Sequence, residues 1–286
     1  MNYRHGYHAG NFADVVKHAV FCRVLTHLRE KPAAFRVIDT HAGSGIYDLT
    51  GPEAAKTGEW RDGIGRLWQA DLPADVGSLL APYLKVVAAC NRDATTLTRY
   101  PGSPALAQGL LRPHDRLIAC EIEPQAAAAL ARILRGDARA KAIAIDGWTA
   151  LKAYVPPKER RGVVLIDPPF EQPGEFSRLV QDVAAAHRKW ATGIYLLWYP
   201  IKDLAEVTGF ARKLSRLAIG KALRAELMVA PATMTEGLRG TGLIAINPPW
   251  RLHDELKRLL PALARLLSRG ATKPWTLDWL AGADGT

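Results

Sequence analysis

Residues 163–176 read VVLIDPPFEQPGEF. Val163, Val164, Leu165 and Ile166 form an unbroken apolar run, bounded downstream by prolines and a glycine. That pattern predicts a strand covered on both faces, as in a parallel sheet sandwiched between helices. Neither Pro168 nor Pro169 can donate a ladder hydrogen bond, and each biases the residue before it away from the helical region. The chain must therefore leave the sheet extended at Asp167. An acid and an aromatic ring, Phe170, then stand just past the strand's carboxyl end.

The same alternation spreads outward from this strand. NFADVVKHAVFCRVLTHLREK (11–31) has helical spacing behind a capping Asn11, and its basic ends predict a helix near solvent. After Pro32, AFRVIDTHAGSGIYDL is a short strand that runs into a glycine turn at Gly43 and Gly45. Residues 47–101 hold polar stretches and short helical pieces, too long for an ordinary loop, and predict an inserted small helical subdomain. Helices over PGSPALAQGLLR, PQAAAALARILR and GWTALKAY then alternate with strands over DRLIACEI, ARAKAIAID and GVVLID. A helix near 174–190 and the strand TGIYLLWYP continue the series. In the tail, ALRAELMVA and GTGLIAINPPW predict an antiparallel pair, followed by a helix over about 251–269 and a short strand near PWTLDWL. The expected fold is α/β and Rossmann-like, a mostly parallel sheet with an antiparallel C-terminal pair. The main domain is expected over 1–46 and 102–286, with the insert at 47–101.

Composition limits the function classes. The 286 residues are 48% hydrophobic and 23% charged, which is ordinary for a soluble globular protein. Lys and Arg number 38 against 28 Asp and Glu, a net +10 that favours a polyanionic partner such as nucleic acid. No apolar run approaches the roughly 20 residues that cross a bilayer, and MNYRHGYHAG carries no apolar signal core. A cytoplasmic protein without a membrane partner is expected. Cys22, Cys90 and Cys120 form no CxxC pair, so neither disulfides nor zinc are predicted and the thiols are expected reduced and mostly buried.

In open α/β sheets ligands sit beyond the carboxyl ends of the strands, where strand order reverses. Four strand ends converge there: Asp39-Thr40-His41-Ala42-Gly43-Ser44-Gly45, Cys120-Glu121, Asp146-Gly147-Trp148 and Asp167-Pro168-Pro169-Phe170. The glycines let backbone approach a ligand closely. Glu121 can accept from two ribose hydroxyls, and Asp146-Gly147 can receive an adenine amino group. A pyrophosphate cofactor fits less well, because Ile46, Tyr47 and Asp48 follow Gly45 where GxGxxG needs another glycine. Acids near the turn repel phosphates and welcome a sulfonium and an ammonium, which is the layout that S-adenosylmethionine needs. His5, His8, His18 and His41 lack the cysteines or ordered carboxylates that would complete a zinc shell, so no metal is expected.

The acid and the ring of the opening stretch suit transfer to an exocyclic amine. Such an amine is a poor nucleophile because its lone pair is delocalised into the ring. A carboxylate at Asp167 and the Pro168 carbonyl, each accepting from one amine proton, would localise the pair. Phe170 offers a face for an extruded base, worth roughly 1 to 3 kcal/mol. No cysteine stands at a strand end beside the target, so a cysteine adduct is disfavoured. Asn247-Pro248-Pro249-Trp250 repeats the pattern after the apolar GLIAI, but strand order favours Asp167. LLWYP (196–200) is read as core and pocket wall, and RLHDELKRLLPALARLLSR as an amphipathic helix packed on the sheet whose cations could reach phosphates.

Asp-Pro-Pro-Phe at this place resembles the [DNS]PP[YFW] signature of methyltransferases acting on an exocyclic amine. Nearly the whole chain resembles the RlmJ family, which methylates N6 of an adenine in 23S ribosomal RNA. The resemblance runs through Tyr3-Arg4-His5, HAGNFADVVKH, DTHAGSG, YPGSP, Glu121, Asp146-Gly147, DPPF, LWYP and NPPW. It implies a class I methyltransferase fold, S-adenosyl-L-methionine as cofactor with S-adenosyl-L-homocysteine as product, and 23S rRNA as partner to a monomer that needs no other protein. It further implies that His18, His41, Gly43, Ser103, Glu121, Asp146, Gly147 and Asp167 line the cofactor site, that Asp167, Pro168 and Phe170 act on the target, and that Tyr3, His5 and Lys17 meet the RNA or shape the pocket over it. The family commonly has tyrosine where this chain has Phe170; stacking survives that change and a phenol hydroxyl does not. A DNA adenine methyltransferase shares the same strand-end residues, and a non-catalytic RNA-binding protein on a methyltransferase scaffold is the more distant alternative.

Overall fold

The computed structural model of the chain describes residues 5–93, 96–231 and 237–281. A short 3-10 turn, His5–Tyr7, leads into α1 (Phe12–Glu30), whose capping Asn11 side chain accepts from the Ala13 and Asp14 amides. β1 (Arg36–Asp39) follows, then β2 (Ile46–Asp48), α2 (Pro52–Thr57), α3 (Glu59–Asp62), α4 (Ile64–Trp68), α5 (Ala74–Ala89) and β3 (Arg99–Pro101). Regular alternation begins with α6 (Ser103–Leu110), β4 (Arg116–Glu121), α7 (Pro124–Leu134), β5 (Ala140–Ala144), α8 (Gly147–Tyr154) and β6 (Gly162–Ile166). It continues through α9 (Glu175–Lys189), β7 (Ile194–Ile201) and α10 (Leu204–Ser215). β8 (Ala222–Met228), β9 (Gly240–Ile246), α11 (Leu252–Leu267) and β10 (Trp275–Ala281) complete the chain.

The main sheet runs β10-β8-β9-β7-β6-β1-β4-β5. β1 pairs parallel with both β4 and β6, β4 with β5, and β6 with β7. The chain therefore builds outward from β1 to β5, returns, and continues on the other side from β6. The reversal falls between β1 and β6, and this puts the carboxyl ends bearing Asp39 and Asp167 side by side. All five residues of β6 are buried, as its apolar run predicts.

Four features differ from the sequence reading. The antiparallel part is larger than one pair: β9 is antiparallel to both β7 and β8, and β10 is antiparallel to β8. Residues 47–101 carry the predicted helical pieces, but β2 and β3 pair antiparallel at its ends, and Leu80, Tyr83 and Val87 of α5 join the core that α1 enters. α10 has no counterpart in the sequence reading. Finally, α1 is not near solvent: between Ala13 and Leu28 every residue but Thr26 is buried.

That burial is tolerable because the polar residues of α1 are partnered. Arg23 makes a bidentate pair with Glu255 of α11 at 2.7 and 2.9 Å, and His27 lies 3.2 Å from the same carboxylate. Asp14, Lys17 and His18 turn to the carboxyl edge of the sheet. Cys22 and Cys120 are buried and all three cysteines are free thiols. No helix among the described residues is long and apolar enough to cross a membrane.

Candidate active site

Two cavities meet at the carboxyl edge. The smaller, about 330 Å³, lies over the ends of β1, β4, β5 and β6. The larger, about 1290 Å³, opens beside it between the start of α1, the β6 exit and the end of β7. His5, Lys17, Asp167 and Pro169 belong to the walls of both. Asp167 thus stands where the two spaces join.

The smaller cavity gathers His18, His41, Gly43, Ser103, Glu121, Asp146, Gly147 and Asp167, all predicted from sequence. Glu121 ends β4 with its carboxylate pinned, accepting from the Gly43 amide at 2.8 Å and the Glu123 amide at 2.8 Å. Asp146 caps α8, accepting from the Thr149 amide at 2.9 Å. A side chain on Gly147 would strike the Thr40 carbonyl at 2.3 Å and the His41 ring at 2.6 Å, so only glycine lets α8 start this close. His41 is half-buried with its ring edge-on to Trp148, and desolvation lowers its pKa to about 4 despite the nearby Asp146.

Asp39 ends β1 just behind the smaller cavity, whose wall begins at its neighbour Thr40. It is fully buried, and neither carboxylate oxygen makes a well-formed hydrogen bond among the described residues. Burial pushes its pKa up to about 7, only partly countered by Ser103, with the charge of Asp167 raising it further. A buried carboxylate without donors is costly unless a cationic ligand completes it. The cationic tail of S-adenosylmethionine in the cavity would bring a positive charge toward Asp39, and Glu121 and Asp146, which line the cavity, could accept from its ribose and adenine donors. The residues fit that cofactor.

Asp167 is held from behind. Lys17, on the second turn of α1, pairs with Asp167 and also with Asp14 at 2.8 Å. Burial alone would lower the lysine pKa, but the charges of Asp14 and Asp167 outweigh it and hold it well above the usual value. Asp14 in turn accepts from the Gly10 amide at 2.9 Å and lies 2.9 Å from His5. Burial would raise the Asp14 pKa, yet His5 and Lys17 keep it well below the usual range. Burial lowers the His18 pKa to about 3, so the ring is neutral, and its Nδ1 meets the Tyr100 hydroxyl at 2.7 Å. Asp14 was not singled out from sequence, though its spacing to Lys17 and His18, three and four residues on, puts all three on one helix face.

The target side matches the sequence reading in part. Phe170 sits at φ +50°, packed 4.8 Å from Phe176 and 5.8 Å from Trp198, and it faces the larger cavity only. Trp198 joins that wall with Lys17 over its ring at 5.6 Å, while Tyr199 is core, so LLWYP is both wall and core. Pro168 is buried and Pro169 forms the wall instead. Tyr3 and Arg4 lie outside the described residues. Asn247 is far from both cavities: Ile246 pairs with Tyr195 at the start of β7, so Asn247 leaves the sheet at its opposite, amino edge. Among the described residues no group of three or more His, Cys, Asp or Glu could hold a metal ion.

A family model described as "Ribosomal RNA large subunit methyltransferase D, RlmJ" matches residues 32–281. Ribosomal RNA large subunit methyltransferase J of Haemophilus influenzae is 38% identical over 281 residues, covering 98% of this chain and 99% of the relative. The protein of that name from Escherichia coli K12 is 40% identical over 281 residues, with the same coverage. The crystal structure of protein LPL1258 from Legionella pneumophila superposes with a TM-score of 0.87 at 34% identity, over 97% of this chain and 99% of that one.

Proposed function

The chain belongs to the RlmJ family of ribosomal RNA large subunit methyltransferases, and from that membership we propose that it transfers a methyl group from S-adenosyl-L-methionine to N6 of one adenine in 23S rRNA. The observation that carries this reading is the junction of the two cavities at Asp167. One space has the strand-end acids suited to the cofactor; the other is open to a base; the Asp167 carboxylate, at the end of β6, belongs to both.

S-adenosylmethionine supplies an electrophilic sulfonium methyl when bound. The chain supplies position and polarity. Asp167 accepts a hydrogen bond from one amine proton and the Pro168 carbonyl accepts the other, which pulls the lone pair out of the purine ring. Lys17 pairs with the Asp167 carboxylate and holds it in place, and Asp14 balances Lys17 in turn. Phe170 stacks the base from the wall of the larger cavity, with Trp198 and Phe176 bracing its ring. Extruding a base costs a few kcal/mol in a duplex and less in an unpaired loop. Tyr3, His5 and Lys17 contact the RNA or close the pocket over it. No metal takes part, and the enzyme acts as a cytoplasmic monomer without a second protein.

The test is methyl transfer from labelled cofactor into 23S rRNA lacking the modification, followed by mass mapping. Label on N6 of a single adenine is expected. Label on a carbon, or transfer to DNA in preference to rRNA, overturns the reading.

A further inference from the structure

The positive charge of this chain is not where its chemistry is. The smaller cavity is walled by Glu53, Glu121, Glu123, Asp146, Asp167, Glu171 and Glu175 against Lys17 and Arg178. The larger has Asp14, Glu59, Asp62, Asp167 and Glu171 against Lys17, Lys202 and Arg269. Among the described residues both walls are net acidic, though the chain is +10. A polyanion gains little attraction there.

The cations collect at the amino edge. Lys31 precedes β1, Lys158 and Arg160 precede β6, Lys189 precedes β7, Lys221 precedes β8, and Arg251 follows β9; all six are exposed. Acids at this edge are largely engaged: Glu159 by Arg36 at 2.6 and 2.7 Å, Asp115 by Arg112 at 2.9 Å, and Asp137 by Arg139 at 2.7 Å. Glu30, 3.8 Å from Arg251, and the exposed Asp254, 3.3 Å from His253, also face the band. Lys31, Lys158, Arg160 and Lys221 form no ion pair among the described residues.

Within this band stands Trp250, at 76% exposure the most exposed large apolar side chain among the described residues. Its ring carries the Arg251 guanidinium at 4.5 Å. The loop that presents it is stiff. Asn247 sits at φ +52°, donating from its side-chain amide to the Ala191 and Gly193 carbonyls at 2.7 and 2.8 Å, and its backbone amide donates to the Lys221 carbonyl at 2.8 Å. Pro248 and Pro249 follow. Strain of this kind persists where the surroundings over-determine it. An aromatic held rigidly in water, stacked with arginine on an edge that also carries Lys31, Lys158, Lys189 and Lys221, has the parts of a site for unpaired nucleic acid: a stacking platform, a cation on it and phosphate-binding charge along the same edge.

We propose that the amino edge of the sheet is a second RNA-contact surface, remote from the methyl-transfer site, on which Trp250 stacks an unpaired base while the surrounding cations hold phosphates. It rests on the rRNA reading for the identity of the RNA, but not for the existence of the surface. β7 separates the two edges by about 26 Å at 3.3 Å per residue, so a large RNA can meet both.

Two variants test it: Trp250→Ala, and the charge reversal Lys31→Glu/Lys158→Glu/Lys221→Glu. Each is measured for binding of a fluorescent oligouridylate across a salt series, and for methyl transfer to 23S rRNA. Trp250→Ala should weaken oligouridylate binding roughly fivefold or more. The charge reversal should lower the slope of log affinity against log salt by about 2. In both variants KM for 23S rRNA should rise while kcat and cofactor affinity stay unchanged. Unaltered binding and salt slope in both variants overturn the proposal, as does a wild-type dimer that Trp250→Ala dissociates, since a second copy would then be the occupant. If the wild type methylates no rRNA, the acceptor reading fails while the oligouridylate measurement still decides the surface.

Discussion

The sheet ends twice in the same tetrapeptide pattern, Asp167-Pro168-Pro169-Phe170 and Asn247-Pro248-Pro249-Trp250, and the two exits share almost nothing but their letters. β6 and β9 run in opposite senses, so one exit opens onto the acidic cavities and the other onto the basic edge. At the first, the polar residue is the working group: Asp167 faces both cavities and is gripped by Lys17. At the second, the polar residue is spent on the turn, its amide closing onto Ala191 and Gly193, and it is the ring that faces outward. A short signature acquires meaning from strand direction and from which neighbouring groups have already claimed its donors and acceptors.

Substitutions can break this contrast or sharpen it. Asp167→Ala should lower kcat on the order of 10³-fold in a single-turnover methylation assay, with the fold retained by circular dichroism. Should Asn247→Ala do that instead, the assignment of roles is reversed. Lys17→Met leaves Asp14 and Asp167 facing each other without a cation and should cost about 3 kcal/mol or more in urea unfolding, while the same change at exposed Lys221 should stay within about 0.5 kcal/mol. Asn247→Ala, which strands two carbonyls, should cost about 2 kcal/mol by the same measurement and leave kcat within about twofold.

The titration of Asp39 supplies a subtler test. With its pKa raised to about 7, the free protein holds this carboxyl protonated below neutrality. A cationic ligand tail prefers the ionised form, so binding must expel a proton when pH is low. Cofactor affinity by calorimetry should therefore fall as pH drops below about 7, approaching tenfold per unit, and Asp39→Asn should flatten that dependence. For stability the sign is opposite: the raised pKa favours the folded state at low pH, and that contribution is lost as pH rises through 7. The amino edge, built from exposed lysines and arginines, should show no such dependence over this range.

Much of this was legible in the sequence because it depends on local order. The Val163–Ile166 run, the Asn11 cap and the glycine turn each declare themselves within a few residues, and strand ends in an α/β sheet converge by topology alone. What escaped depends on contacts distant in the chain. The basic ends of α1 suggested solvent, yet Arg23 and His27 are neutralised by Glu255 from the far end of the chain, and the helix is buried. β2 and β3 are three residues each, too short to show a period, and exist because they pair. Asp14 drew no notice in the sequence, because its role exists only once the fold delivers Asp167 to its neighbour Lys17. The uneven division of charge between the two edges was likewise hidden in a single net value, since loops scattered through the chain assemble it.

α1 runs from one edge to the other: Lys17 touches the junction of the cavities, while the Arg29 and Lys31 carbonyls near its end receive Arg112 at 3.2 and 2.7 Å. Packed on nearly all sides, its 19 residues form a strut of about 28 Å at 1.5 Å each. A nucleic acid gripped at both ends is thereby gauged: its anchored segment and its reactive base must stand a set span apart. Choice of target then becomes partly a matter of length, imposed by a rod that joins the two gripping points.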